Sequence, residues 1–505
     1  MKNSRSHKKL KRFNSRHLLT MLGLATISVT TWNLLPNIRP HSNRPIPSDI
    51  ELATEIRQMT YSASELPKFS DQDQQLARFG KKLFFDKRFS ANKEIACASC
   101  HQPEKYFSDG LQFAQGLGQT LRRTPSIINS FASFWFFWDG RADSLASQAL
   151  GPIEHPMEHG ISRTHVARIL RDHYQKEYER HFDKFPDSLK GKLPLEAKGE
   201  DGSFDASAKM SAYTLASLDS FSIQDALLVK SSRLGTSPAK LVSRLSDFTP
   251  KTPSSWVKAW QQLSPGQQAA INQVFANFGK AVAQYETGII AVNSPFDKFA
   301  KRVKAGIPIP DALGEGFGKS ELEGLRLFTG PGNCSSCHMG PHFSDQQFHN
   351  IGLPLQKNLT LNIQNLYIDV GRSMGVLMVR KNPLNCQGGL IDENRESCQE
   401  LPWLDSENLE LVGAFKTPSL RNVAQRAPYA HDGRFSKLAD VLNHYDDIPE
   451  NSGIGHREET LLPLRFDKSQ IRNLELFLIA LTSPVTDLSN TDSELLKLSR
   501  IRQGK

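Results

Sequence analysis

The sequence predicts a mainly α-helical chain organised as two domains. Three observations predict it: one long apolar stripe at helical spacing, almost no sustained strand alternation, and a five-residue device that occurs once on each side of residue 295. At 505 residues the chain is long enough for each domain to bury its own core.

The chain opens on a basic leader. Residues 1–44 hold nine Lys or Arg and no acid, so the excess of 62 basic over 53 acidic residues is confined there and the rest is balanced. A neutral body leaves no global electrostatic case for a nucleic-acid partner. The leader runs into LLTMLGLATISVTTWNLLP, from Leu18 to Pro36, which is almost uncharged. Positive charge ahead of an apolar run is an export signal. No small-x-small cleavage site follows it clearly, so removal of the segment and its retention as a membrane anchor both stay open. The expected location is the periplasm, free or tethered to the inner membrane.

The first domain is assigned to residues 45–293, with a Lys-, Ser-, Asp-, Gly- and Pro-rich excursion over about 186–255. Its clearest helix starts at SPGQQ: Ser264 caps it, Pro265 suits its first turn, and Gln267 completes a capping box. Ile271, Val274, Phe275, Phe278, Val282 and Tyr285 then recur on one face, which reads as core. NSPFD, residues 293–297, reads as the helix stop and the boundary between the domains. The second domain is assigned to 294–487, with an insertion over about 355–410 and a last apolar helix in SQIRNLELFLIALTS; residues 488–505 read as a frayed tail. Cys386 and Cys398 lie in that insertion, and an oxidising compartment would join them as a disulfide.

The duplicated device is C-x-x-C-H, as Cys97, Cys100, His101 and again as Cys334, Cys337, His338. It is the attachment signature of c-type haem: two thiols form thioethers with one porphyrin, and the adjacent histidine is placed beneath the iron. Structural zinc or a redox dithiol would also use paired cysteines, but neither requires histidine directly after the second one. The chain is therefore expected to bind two covalent c-type haems, one per domain. An electron-transfer haem has two protein ligands, whereas a catalytic haem leaves one face free. No His or Met occurs between His101 and Trp138, which favours an open first haem.

Further segments extend the pattern: LFFDKRFSANKEIACASCH, FSDG, RRTPSIINS, FWDGRADSLASQALGPIEHPMEHG, CSSCHMGPHFSD, FHNIGLP and FKTPSLRNVAQRAPYAHDGRF. In order, these resemble the bacterial di-haem cytochrome c peroxidase and MauG family, from about residue 75 to 485. The resemblance implies two cytochrome-c-like haem domains with the haem interface between them. It implies that Trp138 relays electrons between the haems, that Gln148 and Glu158 belong to the distal pocket of the first, and that Pro152 lines that pocket. Without the family, such a Trp reads as core and such a Glu as a solvated surface group. A carboxylate over an open haem can carry a proton between the two oxygens of hydrogen peroxide, so that the outer one leaves as water.

The sixth ligand of the second haem separates the family's branches. Peroxidases carry methionine 17 residues after the proline of APY; counted from Pro428, this chain has Tyr445, as MauG-like proteins do. An anionic phenolate lowers the potential and favours high-valent iron. Neighbouring His444 is the alternative ligand. Where peroxidases carry a distal histidine, this chain has Leu117, so no reductive activation is expected; His155 and His159 flank Glu158 and read as surface or supporting residues. The family's inter-haem calcium uses an asparagine and backbone carbonyls. Arg123 and Arg426 stand at two of those positions, and a guanidinium cannot ligate a cation, so calcium is expected to be absent or relocated, with the charge of Arg123 in its place.

The resulting expectation is a di-haem oxidoreductase that uses hydrogen peroxide at a five-coordinate first haem, shares high-valent iron with a His338/Tyr445 haem, and oxidises a protein partner. The rivals are a cytochrome c peroxidase fed by a small redox protein, a non-enzymatic di-haem electron carrier, and an oxygen-dependent enzyme cleaving an organic substrate.

Overall fold

The computed structural model describes residues 44–199, 252–354, 369–391, 396–406, 408–449 and 454–490. The expected export or anchor segment, the greater part of the 186–255 excursion, residues 355–368 of the second insertion and most of the 488–505 tail lie outside them. No helix among the described residues is long and apolar enough to cross a membrane.

The described chain is mainly α-helical. The helices that position the site are α1 (Asp49–Gln58), α2 (Asp71–Phe85), α3 (Leu145–Glu154), α4 (Pro265–Thr287), α5 (Pro295–Lys304), α6 (Lys319–Thr329), α7 (Arg372–Lys381), α8 (Leu438–Asp446) and α9 (Lys468–Ile479). Short antiparallel pairs join β1 (Ile289–Ile290) to β4 (Thr486–Asp487) and β2 (Phe348–His349) to β3 (Phe415–Lys416).

Local chemistry explains where these helices start. Ser264 accepts from the Gln267 N–H and Gln267 returns a bond to Ser264, with Pro265 in the first turn. Ser48 with Glu51, Ser70 with Asp73, and Asp467 with Gln470 repeat the box on α1, α2 and α9. NSPFD does more than stop α4, since Ser294 and Asp297 cap α5 directly. The six-residue stripe of α4 is fully buried, and each such side chain stabilises by about 1.5–3 kcal/mol.

Two hydrophobic cores result. The first gathers α2, α3 and α4 around Phe84, Phe89, Ile153 and Phe275; the second gathers α1, α5, α6, α8 and α9 around Phe296, Phe299, Phe328 and Phe477. A matching helix crossing sits in each. A Cβ at Gly80 of α2 would lie 1.8 Å from the Ala281 carbonyl oxygen of α4, and one at Gly324 of α6 would lie 2.0 Å from that of Asn473 of α9. Only glycine allows these two backbone approaches.

Packing extends past two of the expected boundaries. Residues 186–199 are not an excursion: Leu189, Leu193 and Ala197 are buried in the first core, and Glu196 accepts from the Ser162 N–H. At the other end, Leu488 is buried against Ile290, and Ser489 is buried beside it, so the packed chain passes the expected boundary at 487. The described part of the second insertion is packed as well. It crosses to the first half, where Asn382 donates to Ser147, the Cys386 N–H to Asp143, and Arg372 to the carbonyls of Asp139 and Gly140. Within it Cys386 and Cys398 are joined, with Cα atoms 5.8 Å apart.

Candidate functional site

Each C-x-x-C-H device is a tight turn closed by its own backbone. The His101 N–H donates to the Cys97 carbonyl, and the His338 N–H to that of Cys334, both at 2.9 Å. The imidazoles are then set alike: His101 Nδ1 donates to the Phe107 carbonyl at 3.2 Å, and His338 Nδ1 to the Phe343 carbonyl at 3.0 Å. An Nδ1–H bond of this kind fixes the tautomer that offers Nε2 to a metal. Burial lowers both pKa values, which keeps the rings neutral. Cys97, Cys100, Cys334 and Cys337 are half-buried and take no part in the Cys386–Cys398 disulfide.

One cavity of about 560 Å³ connects the two devices. His101, Gln148, Trp138, Cys334, His338 and Tyr445 all line it. The Trp138 indole N–H donates to the Arg123 carbonyl at 3.1 Å, and its own carbonyl accepts from the Lys416 N–H. Gln148 reaches the cavity from α3, and its Oε1 is buried without a hydrogen-bond partner, as suits a side chain waiting for a ligand.

Glu158 lies just beyond α3 and outside the cavity wall itself; burial is the main influence on His101, Cys97 and Cys100, lowering the first and raising the two thiols, and the Glu158 charge is near enough to act on all three in the upward direction. Its backbone is held by the Leu117 N–H, which donates to the Glu158 carbonyl at 3.0 Å. Pro152 does not line the cavity. Its carbonyl accepts from the N–H groups of His155 and His159, so it shapes the turn that carries Glu158. His155 stands 3.5 Å from the Glu158 carboxylate, and buried His159 donates to the Phe89 carbonyl at 2.7 Å.

Helix α8 brings Tyr445 to the cavity with Cys334, Cys337 and His338. Burial, then the two thiols, hold its phenol well above the ordinary range, so loss of that proton would require a cation at the oxygen. His444 is committed elsewhere, with Nε2 donating to the Ile351 carbonyl at 2.9 Å. Beside Cys337, His349 is held between Asp345 at 2.8 Å and Glu458 at 2.9 Å; its pKa is raised to about 11, first by the Asp345 hydrogen bond.

Three cations face the cavity without an ion pair among the described residues: Arg123, Lys416 and Arg426. Burial pushes Lys416 down to about 8. Such cations call for anions, and a haem brings carboxylates as well as an iron that neutral imidazoles can ligate. The residues therefore fit the group that the motifs imply. Arg123 donates to the carbonyl of Arg426 at 2.7 Å, which brings together the two residues singled out in the sequence at the expected calcium position. Sequence reasoning missed Lys416, whose strand β3 is too short to show a period, and Glu286, a buried carboxyl at the end of α4 that acts on Cys97.

Residues 74–209 match the profile of the family described as Di-haem cytochrome c peroxidase. The chain is 25% identical over 425 residues to the Cytochrome-c peroxidase IdrP2 of Denitromonas iodatirespirans, covering 83% of this chain and 84% of that protein. It is also 25% identical over 381 residues to the Methylamine utilization protein MauG of Methylorubrum extorquens, covering 75% and 70%. A third relative, the protein of the same name from Methylophilus methylotrophus, is 24% identical over 434 residues, covering 85% of each. Two differently named branches thus align along most of the chain, and residues 74–209 carry the profile of the di-haem cytochrome c peroxidase family, to which the chain is similar.

Proposed function

We propose that the chain is an exported, periplasmic enzyme that carries two covalent c-type haems, reduces hydrogen peroxide at the first, and draws the electrons through the second from a protein partner in the manner of MauG. Cys97, Cys100 and His101 would hold the first haem; Cys334, Cys337, His338 and Tyr445 would hold the second. The supporting observation is the single cavity lined by His101, Gln148, Trp138, His338 and Tyr445 together. When bound, the haems supply the electron storage and the iron chemistry that split the peroxide O–O bond.

The chain's own residues supply the rest. Glu158 accepts a proton from one oxygen of hydrogen peroxide and returns it to the other, which departs as water. The unpartnered Gln148 Oε1 is a hydrogen-bond acceptor for the incoming peroxide. Trp138, fixed through Arg123, bridges the two haem sites. Leu117, in place of a histidine, leaves the first site open to peroxide. Arg123 substitutes for calcium, so the site needs no divalent cation. The Cys386–Cys398 disulfide suits export.

A second reading is favoured by the name of the first relative: a cytochrome c peroxidase fed by a small redox protein. Electron paramagnetic resonance of the ferric protein before and after one equivalent of peroxide tests the main reading. One high-spin and one low-spin signal, both lost on addition, support it; two low-spin signals indifferent to peroxide leave an electron carrier. Rapid turnover with reduced cytochrome c, and no oxidation of any protein substrate, favours the second reading.

A further inference from the structure

The N-terminal stretch of the described chain ends at the cavity wall. Leu52, Ile56 and Met59 are buried in the second core, Arg421 donates to the Met59 carbonyl at 3.3 Å, and Lys304 donates to the Thr60 carbonyl at 3.3 Å. These anchors deliver Tyr61, whose hydroxyl lies 2.9 Å from His342 Nδ1. His342 is 7% exposed and lines the same cavity as His338 and Tyr445. Tyr61 is only partly covered, and exposed Ser62 and Ser64 follow it. A phenol and an imidazole thus lead from the cavity wall to the outside.

The direction of the bond follows from its surroundings. Burial raises the pKa of Tyr61, so the phenol keeps its proton. Burial lowers that of His342, and Lys416, Arg421 and Arg426 lower it further, so the ring is neutral and can accept. A phenol that loses an electron becomes a strong acid, and here the proton has a base already within transfer distance. The Arg421 guanidinium, 5.1 Å from the Tyr61 ring, disfavours a charged radical and so favours one that has shed its proton.

We propose that Tyr61 and His342 form a proton-coupled electron donor through which the peroxide-oxidised di-haem centre takes one electron from the protein surface. The centre is reduced by one electron and Tyr61 is oxidised by one. The phenolic O–H bond breaks and an N–H bond forms at His342 Nδ1, leaving a neutral tyrosyl radical and an imidazolium. An electron from the protein partner and the proton from His342 then restore the phenol. The cations around His342 disfavour the imidazolium, which keeps that proton ready to return. The inference rests on the peroxide reaction proposed above.

The test is freeze-quenched paramagnetic resonance of the full-length protein with both haems bound, mixed with one equivalent of hydrogen peroxide, with and without ring-deuterated tyrosine. A radical whose signal narrows on deuteration is expected in the parent. It is lost in Tyr61→Phe, and lost in His342→Gln, which keeps the phenol but offers no base. The ferric optical spectrum and melting temperature of each variant check that both haems and the fold are retained. A radical undiminished in Tyr61→Phe, or loss of the ferric signals in the parent with no tyrosyl radical, overturns the inference alone. Ferric signals that do not respond to peroxide overturn both the inference and the function on which it rests.

Discussion

The Arg123 guanidinium donates to the backbone carbonyl of Arg426 at 2.7 Å, across 303 positions of sequence. A fixed positive charge thereby joins the two halves at the place where relatives of this kind are expected to hold a metal ion. Chelation with EDTA should leave the melting temperature and haem spectra unchanged, and added calcium should not raise either. Arg123→Gln should lower stability by about 1–3 kcal/mol, because buried acceptors lose a charged donor; thermal unfolding measures it.

Glu158→Gln should slow the peroxide-driven spectral change by about 10²–10⁴-fold, the range of a lost proton-transfer group. Gln148→Leu should slow it less, since it removes only a hydrogen-bonding partner. Stopped-flow mixing with peroxide measures both, and parent-like rates in the two variants would remove them from the site.

Tyr445→Met should raise the reduction potential of the second haem by on the order of 100 mV, since a thioether replaces an anionic oxygen. Tyr445→Phe should alter that haem's spectrum and leave the first unchanged. Spectroelectrochemical titration separates the two centres, and a potential insensitive to both substitutions points to another ligand.

Glu286 is buried, and burial raises its pKa to about 8 from an ordinary value of 4.5. Between those values the folded chain holds a proton that the unfolded chain has released. Stability is therefore highest below about pH 4.5 as far as this group is concerned, and falls as pH rises through the window, by on the order of a few kcal/mol. Glu286→Gln should flatten that slope. Melting temperatures at pH 5, 6.5 and 8 decide it, and equal slopes in both proteins would assign the titration elsewhere.

Replacing Cys386 and Cys398 together by alanine should cost about 3 kcal/mol, the loop-closure value for a short loop. Because Asn382 and the Cys386 N–H hold Ser147 and Asp143, proteolysis should rise first within residues 369–406. Limited digestion with mass spectrometry locates the cut.

The features legible in the sequence are those set by near neighbours. The Ser264 and Gln267 box, the buried stripe from Ile271 to Tyr285, and both C-x-x-C-H turns follow from residues a few positions apart. Tyr445 was preferred to His444 on the resemblance alone; what the sequence could not show is that His444 donates to the Ile351 carbonyl. Gly80 and Gly324 were silent for a similar reason: a glycine within a helical pattern gives no sign of which backbone will touch it. Arg372 was invisible too, since its partners at Asp139 and Gly140 lie more than 230 positions away.

The joined pair at 386 and 398 has a bearing on how the polypeptide matures. Six cysteines allow about 15 fully paired arrangements, and only the one bridge is present here, with four thiols left to react. Under the proposed export and haem attachment, the thiols at 97 and 100, and at 334 and 337, would have to be reduced when porphyrin arrives. Any reductant that does so must spare the bridge, in which Cys386 packs half-buried against Trp135, Val379 and Leu401. Burial does not set the bridge apart, since all six cysteines are half-buried, so closure of the strap has to be separated from assembly of the prosthetic groups by order of events or by the choice of reductant.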